Sequence, residues 1–266
     1  MYKAFYSLAT TPFTKEILTK EIYQSTCAAE AAARLAYLQR TKGIGLLTGE
    51  PGAGKTLAVR TFCEALNPGL YRSMYLPLST LTVSEFYAAI CYALGETPKF
   101  RKIDNFKLIQ QTILSLYKNR GITPVIVMDE MQLARDAFYQ DLSILFNFGM
   151  DSETPFILLL VGLPLLGSRL NAAQHRAFNQ RILMRYSFDP LTEPELAAYI
   201  AHQMRVAGAN HTVFTEPAVK AIHALTAGWP RSANSLCNSS LLAGYSLKRD
   251  VIDEEVIRIA AEDAGI

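Results

Sequence analysis

Gly49-Glu-Pro-Gly-Ala-Gly-Lys-Thr56 has glycine, glycine, lysine and threonine at every fixed place of the pattern GxxxxGK[ST]. Glycines at this spacing let the backbone curl so that successive N–H groups point inward at an anion. The short apolar run Ile44 to Leu47 precedes the loop and reads as a strand, and Thr56 to about Leu66 reads as a helix. Strand, glycine loop and helix together are the setting in which such a loop cradles phosphate, with the positive end of the helix adding to the attraction. Gly49, Glu50, Pro51, Gly52, Ala53, Gly54, Lys55, Thr56 and Leu57 are therefore expected to contact ATP. Lys55 is expected to reach the β- and γ-phosphates, and the Thr56 hydroxyl to ligate magnesium.

Working outward, Tyr71–Leu78 reads as a second strand. Thr82 and Glu85 make a capping box that opens a helix running to about Leu94. A polar, basic loop follows over Gly95–Asp104, then a helix from about Asn105 to Arg120. Pro124-Val-Ile-Val-Met128 is a continuous apolar strand, as expected of one covered on both faces. A helix to about Phe148, an apolar strand Phe156–Val161 and a strand near Ile182–Phe188 complete the alternation, which predicts a parallel sheet between helical layers. After Pro190 the pattern changes. Thr192 and Glu195 make another capping box, and helices are expected at about 193–207, 216–226, 231–247 and 253–263, with no strand among them. The expectation is a three-layer α/β/α P-loop domain over residues 1–189, including an N-terminal segment 1–42 with a helix at 21–41. A small all-helical domain follows over 190–266.

Asp129-Glu130 stands at the end of the strand 124–128, where open parallel sheets place their ligands. Asp129 is suited to hold magnesium, directly or through water, and Glu130 to polarise the attacking water.

The 266 residues are 50% apolar and 19% charged, the composition of a globular protein, and the net charge is only +2. A nucleic-acid surface would then be a local patch. Pro98-Lys-Phe-Arg-Lys102 with nearby Lys107 is the candidate: Lys99, Arg101, Lys102 and Lys107 are suited to sequence-independent contacts with the phosphates of duplex DNA. Cys27, Cys63, Cys91 and Cys237 form no CxxC pair and suit a reducing compartment. The N-terminus lacks the layout of a signal peptide, and the longest apolar run, Phe156–Leu166, is too short to span a bilayer. A cytoplasmic protein without a membrane segment is expected. The four histidines have no metal-ligand spacing, and no Ser-His-Asp arrangement stands out.

The ordered set of motifs resembles AAA+ proteins of the ExeA-like group, which includes the transposition ATPases TnsC and TniB and, more distantly, the phage Mu B protein. The carriers are Phe5-Tyr-Ser-Leu with Pro12-Phe13, Asp129-Glu-Met-Gln132, Phe146-Asn-Phe with Met150-Asp-Ser-Glu, and Leu159-Leu-Val-Gly-Leu-Pro164. Gln180-Arg-Ile, Arg185-Tyr186 and Gly228-Trp-Pro-Arg231 followed by Asn234 complete them. The resemblance implies that the C-terminal helices form a nucleotide lid. It implies that Arg181 reaches the γ-phosphate in a neighbouring subunit, with Arg176 its rival, and that Arg231 contacts nucleotide within its own subunit. A guanidinium suits developing phosphoryl charge in either role. A homo-oligomer, ring or helical filament, follows from the shared site.

The sensor position after the strand Phe156–Val161 departs from the pattern, because Gly162 is followed by Leu163, which has no hydrogen-bonding side chain. A slow ATPase stimulated by DNA or a partner is expected, and Ser79 or Thr80 could hold Glu130 inactive. The leading expectation is a regulator of DNA transposition that assembles on DNA with ATP, recruits or activates a transposase, and disassembles on hydrolysis. The alternatives are a secretion-type ExeA-like ATPase, a helicase-loader or initiator-like ATPase, and a nucleotide-gated DNA scaffold. A secretion ATPase is expected to bring a membrane segment and further domains, whereas this chain ends just after the lid.

Overall fold

A computed structural model of the chain describes residues 2–14, 18–77 and 81–264. The chain divides into two compact units. One is Glu30–Glu50 with Lys55–Phe188, and the other is Met1–Ala29, Pro51–Gly54 and Asp189–Ile266.

The first unit is built on five strands: β1 (Gly43–Gly49), β2 (Tyr71–Leu76), β3 (Thr123–Met128), β4 (Ile157–Gly162) and β5 (Ile182–Phe188). They are hydrogen-bonded in the order β2-β3-β4-β1-β5, and every pairing is parallel. Every residue of β1, β3 and β4 is buried, which is why their sequences run apolar without alternation. The edge strand β5 alternates instead: Ile182, Met184 and Phe188 are buried while Leu183, Arg185 and Ser187 are exposed. Gly45 lets the helix Thr26–Thr41 press against bare backbone, since a Cβ there would lie 2.6 Å from Leu38 Cδ2. The register sets Thr48 beside Gly162 and Leu76 beside Met128, so the C-terminal ends of β1, β2, β3 and β4 share one edge. The sheet order reverses at β1, whose connection runs out to the edge strand β2 while the later ones run back, and the edge at that point is the usual ligand crevice of such sheets.

Several boundaries differ from the sequence expectation. The helix expected at 21–41 begins at Thr26, because residues 19–21 form a separate 3-10 turn. The helix expected from Asn105 begins at Lys102, with Asp104 in its first turn, so Lys102 is helical and not part of the loop; its last residues, Ser115–Asn119, relax into a π-turn. The single helix expected between β3 and β4 is a 3-10 turn at Met131–Leu133 followed by the helix Asp136–Leu145. Two short helices, Pro164–Leu170 and Arg176–Gln180, fill the connection from β4 to β5. Pro164 opens the first of them, at a position whose N–H has no intrahelical partner.

The second unit has four long helices, Glu193–Val206, Glu216–Thr226, Pro230–Ser246 and Glu254–Ala264. The capping box of Thr192 and Glu195 forms, and Glu195 also accepts from the Thr26 N–H at 2.9 Å. These bonds, those from Thr26 first, hold the Glu195 carboxyl down at about 2. Tyr6, Leu8 and Phe13 are buried in the core of this unit with Leu196, Ile200, Ile222, Leu236 and Leu241. The Tyr6 hydroxyl donates to the Arg249 carbonyl at 2.9 Å, and Phe13 meets Phe214 edge to face. Gly244 makes room for Tyr6, because a Cβ there would lie 2.4 Å from its hydroxyl oxygen. The start of the N-terminal segment therefore clusters with the helical unit, where the sequence reading had grouped it with the α/β domain. A set of helices this small buries little apolar surface by itself, and the three N-terminal side chains extend its core.

Candidate nucleotide site

In the α/β unit, the ends of β1 and β3 bring the predicted residues together. Lys55 is buried and its ammonium donates to the carbonyls of Gly49 (2.7 Å) and Glu50 (2.9 Å). Asp129, 4% exposed, is held at both carboxylate oxygens. Oδ2 accepts from the Thr56 hydroxyl at 3.2 Å and from the Tyr75 hydroxyl at 2.8 Å, while Oδ1 accepts from the Glu130 N–H at 2.8 Å. Tyr75 reaches it from the end of β2. Burial, and then the Asp129 hydrogen bond, pushes its hydroxyl up to about 12, so it stays a donor at neutral pH. Leu57 is half-buried in the helix Lys55–Ala65, immediately after the loop.

Glu130 takes a left-handed backbone conformation, φ 55° and ψ 32°, which costs a non-glycine residue about 1–3 kcal/mol. Its Oε2 accepts from Gln132 Nε2 at 2.6 Å. Gln132 Oε1 in turn accepts from the Leu163 N–H at 3.0 Å. Leu163 thus takes part through its backbone, where the sequence showed only an inert side chain. Ser79 and Thr80 lie outside the described residues.

The middle of the phosphate loop, Pro51–Gly54, belongs to the helical unit, as does Arg231. Gly52 has φ +84°, and a Cβ on it would lie 2.2 Å from Arg231 Cβ. Arg231 stands in the first turn of the helix Pro230–Ser246, with its stem against the loop and an exposed residue surface. Gly54 has φ +97° and nothing within 4 Å of where a Cβ would sit, so the loop faces open space there.

These residues fit magnesium and a nucleotide phosphate. The Thr56 hydroxyl and Asp129 carboxylate are two hard oxygen donors already in contact. Among the described residues no group of three or more His, Cys, Asp or Glu could hold a metal. An ion here would complete its shell with phosphate oxygens and water, as magnesium does.

The remaining predicted residues lie elsewhere in the α/β unit. Arg181 donates to the carbonyls of Ser143 (2.6 Å) and Phe146 (2.7 Å) and to Asp151 (2.7 Å), clamping the end of the helix Asp136–Leu145. Arg176 is exposed. In the basic loop, the Asn105 amide holds the Lys99 backbone through bonds of 2.6 and 3.0 Å. Arg101 pairs with Asp104 at 2.8 Å and Lys102 with Asp141 at 2.5 Å, so two of the four cations already face carboxylates. Lys107 and Lys99 are exposed, and Phe100 is wholly so. The loop offers DNA phosphates less positive charge than its composition promised. Sequence reasoning missed Tyr75 altogether. It passed over what Gln132 does, although Gln132 lies two residues beyond Glu130.

A parallel sheet in this order, a glycine loop after β1 and an acidic pair after β3 define a P-loop nucleotide-binding protein. Residues 38–170 match the AAA domain family, and the chain belongs to that family of P-loop ATPases. It is 32% identical over 270 residues to General secretion pathway protein A of Aeromonas hydrophila, an alignment that covers 100% of this chain and 49% of that protein. The chain therefore spans about half the length of that relative.

The fold is shared with solved structures, three of which follow. Cdc6p of Pyrobaculum aerophilum has a TM-score of 0.71 at 15% identity, over 94% of this chain and 70% of its own. Drosophila ORC bound to DNA has 0.68 at 16%, over 100% and 65%. The Thermotoga maritima RuvB Holliday junction branch migration motor has 0.61 at 18%, over 94% and 72%.

The ExeA-like part of the resemblance stands on the secretion relative; the narrower likeness to TnsC and TniB is not shown. The expectation of a transposition regulator with a transposase partner is overturned, because the relative that matches the whole chain is a general secretion pathway protein, the alternative reading. The end of the chain had weighed against that alternative. It carries no weight when the match covers only half of the relative. Among the described residues no helix is long and apolar enough to cross a membrane.

Proposed function

We propose that this chain is the ATP-hydrolysing part of a secretion-type, ExeA-like machine, and that it turns nucleotide state into work on a protein client. Lys55 and the loop N–H groups would bind the phosphates, and Arg231, its stem on Gly52, would lay its guanidinium alongside them. Thr56 and Asp129 would hold magnesium, which when bound supplies charge neutralisation at the phosphate oxygens. Glu130 would take the proton of the attacking water. The observation that carries the secretion reading is 32% identity over the whole chain with General secretion pathway protein A. In the test, this chain replaces the matching half of the Aeromonas hydrophila protein and secretion is measured. The chimera is expected to restore secretion, and its Lys55→Ala form to fail. A chimera that hydrolyses ATP and restores nothing argues against the client.

The subunits are proposed to share sites in a homo-oligomer, with Arg181 acting across the interface and Arg176 its exposed rival. To do so Arg181 must leave three acceptors of its own subunit. Arg181→Ala is expected to lower turnover at least about 100-fold at unchanged ATP affinity. It is also expected to cost about 2 kcal/mol of stability, because the vacated carbonyls and Asp151 lose a charged donor. Lowered Tm with unchanged turnover would confine Arg181 to the helix clamp and pass the role to Arg176, read from Arg176→Ala in the same assay.

A further inference from the structure

Gln132 is a buried amide, 8% exposed, and each of its side-chain polar atoms is engaged. The orientation of the amide is fixed by chemistry. The Leu163 N–H needs an acceptor and finds Oε1 at 3.0 Å, which leaves Nε2 to face the Glu130 carboxylate at 2.6 Å. The backbone carbonyl of Gln132 accepts from Arg169 at 2.7 Å, so the turn that carries it is anchored separately from its side chain. Gly162 belongs to the same arrangement. A Cβ there would lie 2.6 Å from Gln132 Oε1, so any side chain at the last residue of β4 would displace the amide. Glycine at 162, an N–H donor at 163 and glutamine at 132 form a matched set across the ends of β3 and β4.

We propose that Gln132 is a positioning residue for hydrolysis, whose amide holds the Glu130 carboxylate and couples it to the end of β4. It takes the place of the polar side chain that β4 does not supply. This rests on the ATPase reading above. The hydrogen bond engages Oε2 and restrains a carboxylate that otherwise sits on an exposed residue in a left-handed turn. A base held in one place keeps its geometry toward the attacking water, and a base free to wander loses it.

The test uses the full chain with Gln132→Ala and Gln132→Glu, reading kcat, KM, affinity for a fluorescent ATP analogue, Tm, and which nucleotide stays bound after a chase. The glutamate variant keeps an acceptor for the Leu163 N–H and sets a second carboxyl against Glu130, which repels it or shares a proton with it, so the base is disturbed while the latch is kept. Both variants are expected to lose at least about tenfold in kcat, with analogue affinity within about threefold and ATP, not ADP, as the retained nucleotide. Wild-type turnover within twofold in both variants would overturn the proposal, as would kcat, affinity and Tm falling together in Gln132→Ala. Glu130→Gln is the control. If it hydrolyses as fast as wild type, Glu130 is not the base and the assignment of Gln132 falls with it, whereas the ATPase reading itself fails only if wild type hydrolyses nothing.

Discussion

Glu130→Gln is expected to lower ATP turnover on the order of 100- to 10,000-fold while leaving ATP affinity within a few-fold. The substitution is nearly isosteric and removes the carboxylate charge, and with it the capacity to accept a proton. The elements that would bind nucleotide do not depend on that carboxylate. Lys55 is held by the carbonyls of Gly49 and Glu50, and Asp129 by Thr56, Tyr75 and the backbone N–H of residue 130. An amide at 130 can still meet Gln132, with the two side chains pairing donor to acceptor, so the left-handed turn need not rearrange. Purified variant mixed with labelled ATP and magnesium should therefore retain unhydrolysed ATP. Turnover within threefold of wild type would remove Glu130 from the chemistry.

Gly52→Ala is expected to weaken ATP binding at least about 100-fold, through the backbone and not through any lost ligand. At φ +84° an alanine is strained wherever its methyl lies, and here the methyl would fall 2.2 Å from Arg231 Cβ. That atom is fixed to the first turn of a helix of 17 residues and cannot swing aside as a side-chain tip can. Either the loop uncurls and turns its N–H groups from the phosphates, or the start of the helix moves and takes Arg231 with it. Overpacking of this kind costs about 1–3 kcal/mol, so Tm should fall as well. Gly54→Ala is the contrast, with comparable strain at φ +97° and open space around the new methyl. Calorimetric titration with ATP and thermal melts compare the two, and Gly52→Ala at wild-type affinity would contradict the account.

How far the sequence could be read depended on how local the physics was. The phosphate loop, the two capping boxes and the apolar strands follow from spacing within a few residues, and β5 occupies the expected range, Ile182–Phe188. What escaped was contact at a distance. Leu163 looked inert because its partner, Gln132, lies 31 residues earlier and uses the backbone N–H. Tyr75 is an ordinary strand residue until the β2–β3 register brings it to Asp129, 54 residues on. Lys102 looked like a free cation until the fold set it against Asp141. Tyr6 and Phe13 gave no sign that they would complete the core of helices beginning near residue 193. The client was beyond the reach of site residues in principle. A phosphate loop and an acidic pair do the same chemistry whatever is moved, and only the relative that matches the whole chain turned the reading from transposition to secretion.

The central claim is that this chain hydrolyses ATP with magnesium at the site formed by Lys55, Thr56, Asp129 and Glu130. Phosphate release by the purified wild-type chain, with magnesium and with EDTA, tests it most directly when Glu130→Gln is run alongside. Slow, saturable release that EDTA and Glu130→Gln each abolish is the expected result. Release that persists in both, or none from wild type at millimolar ATP, would contradict it.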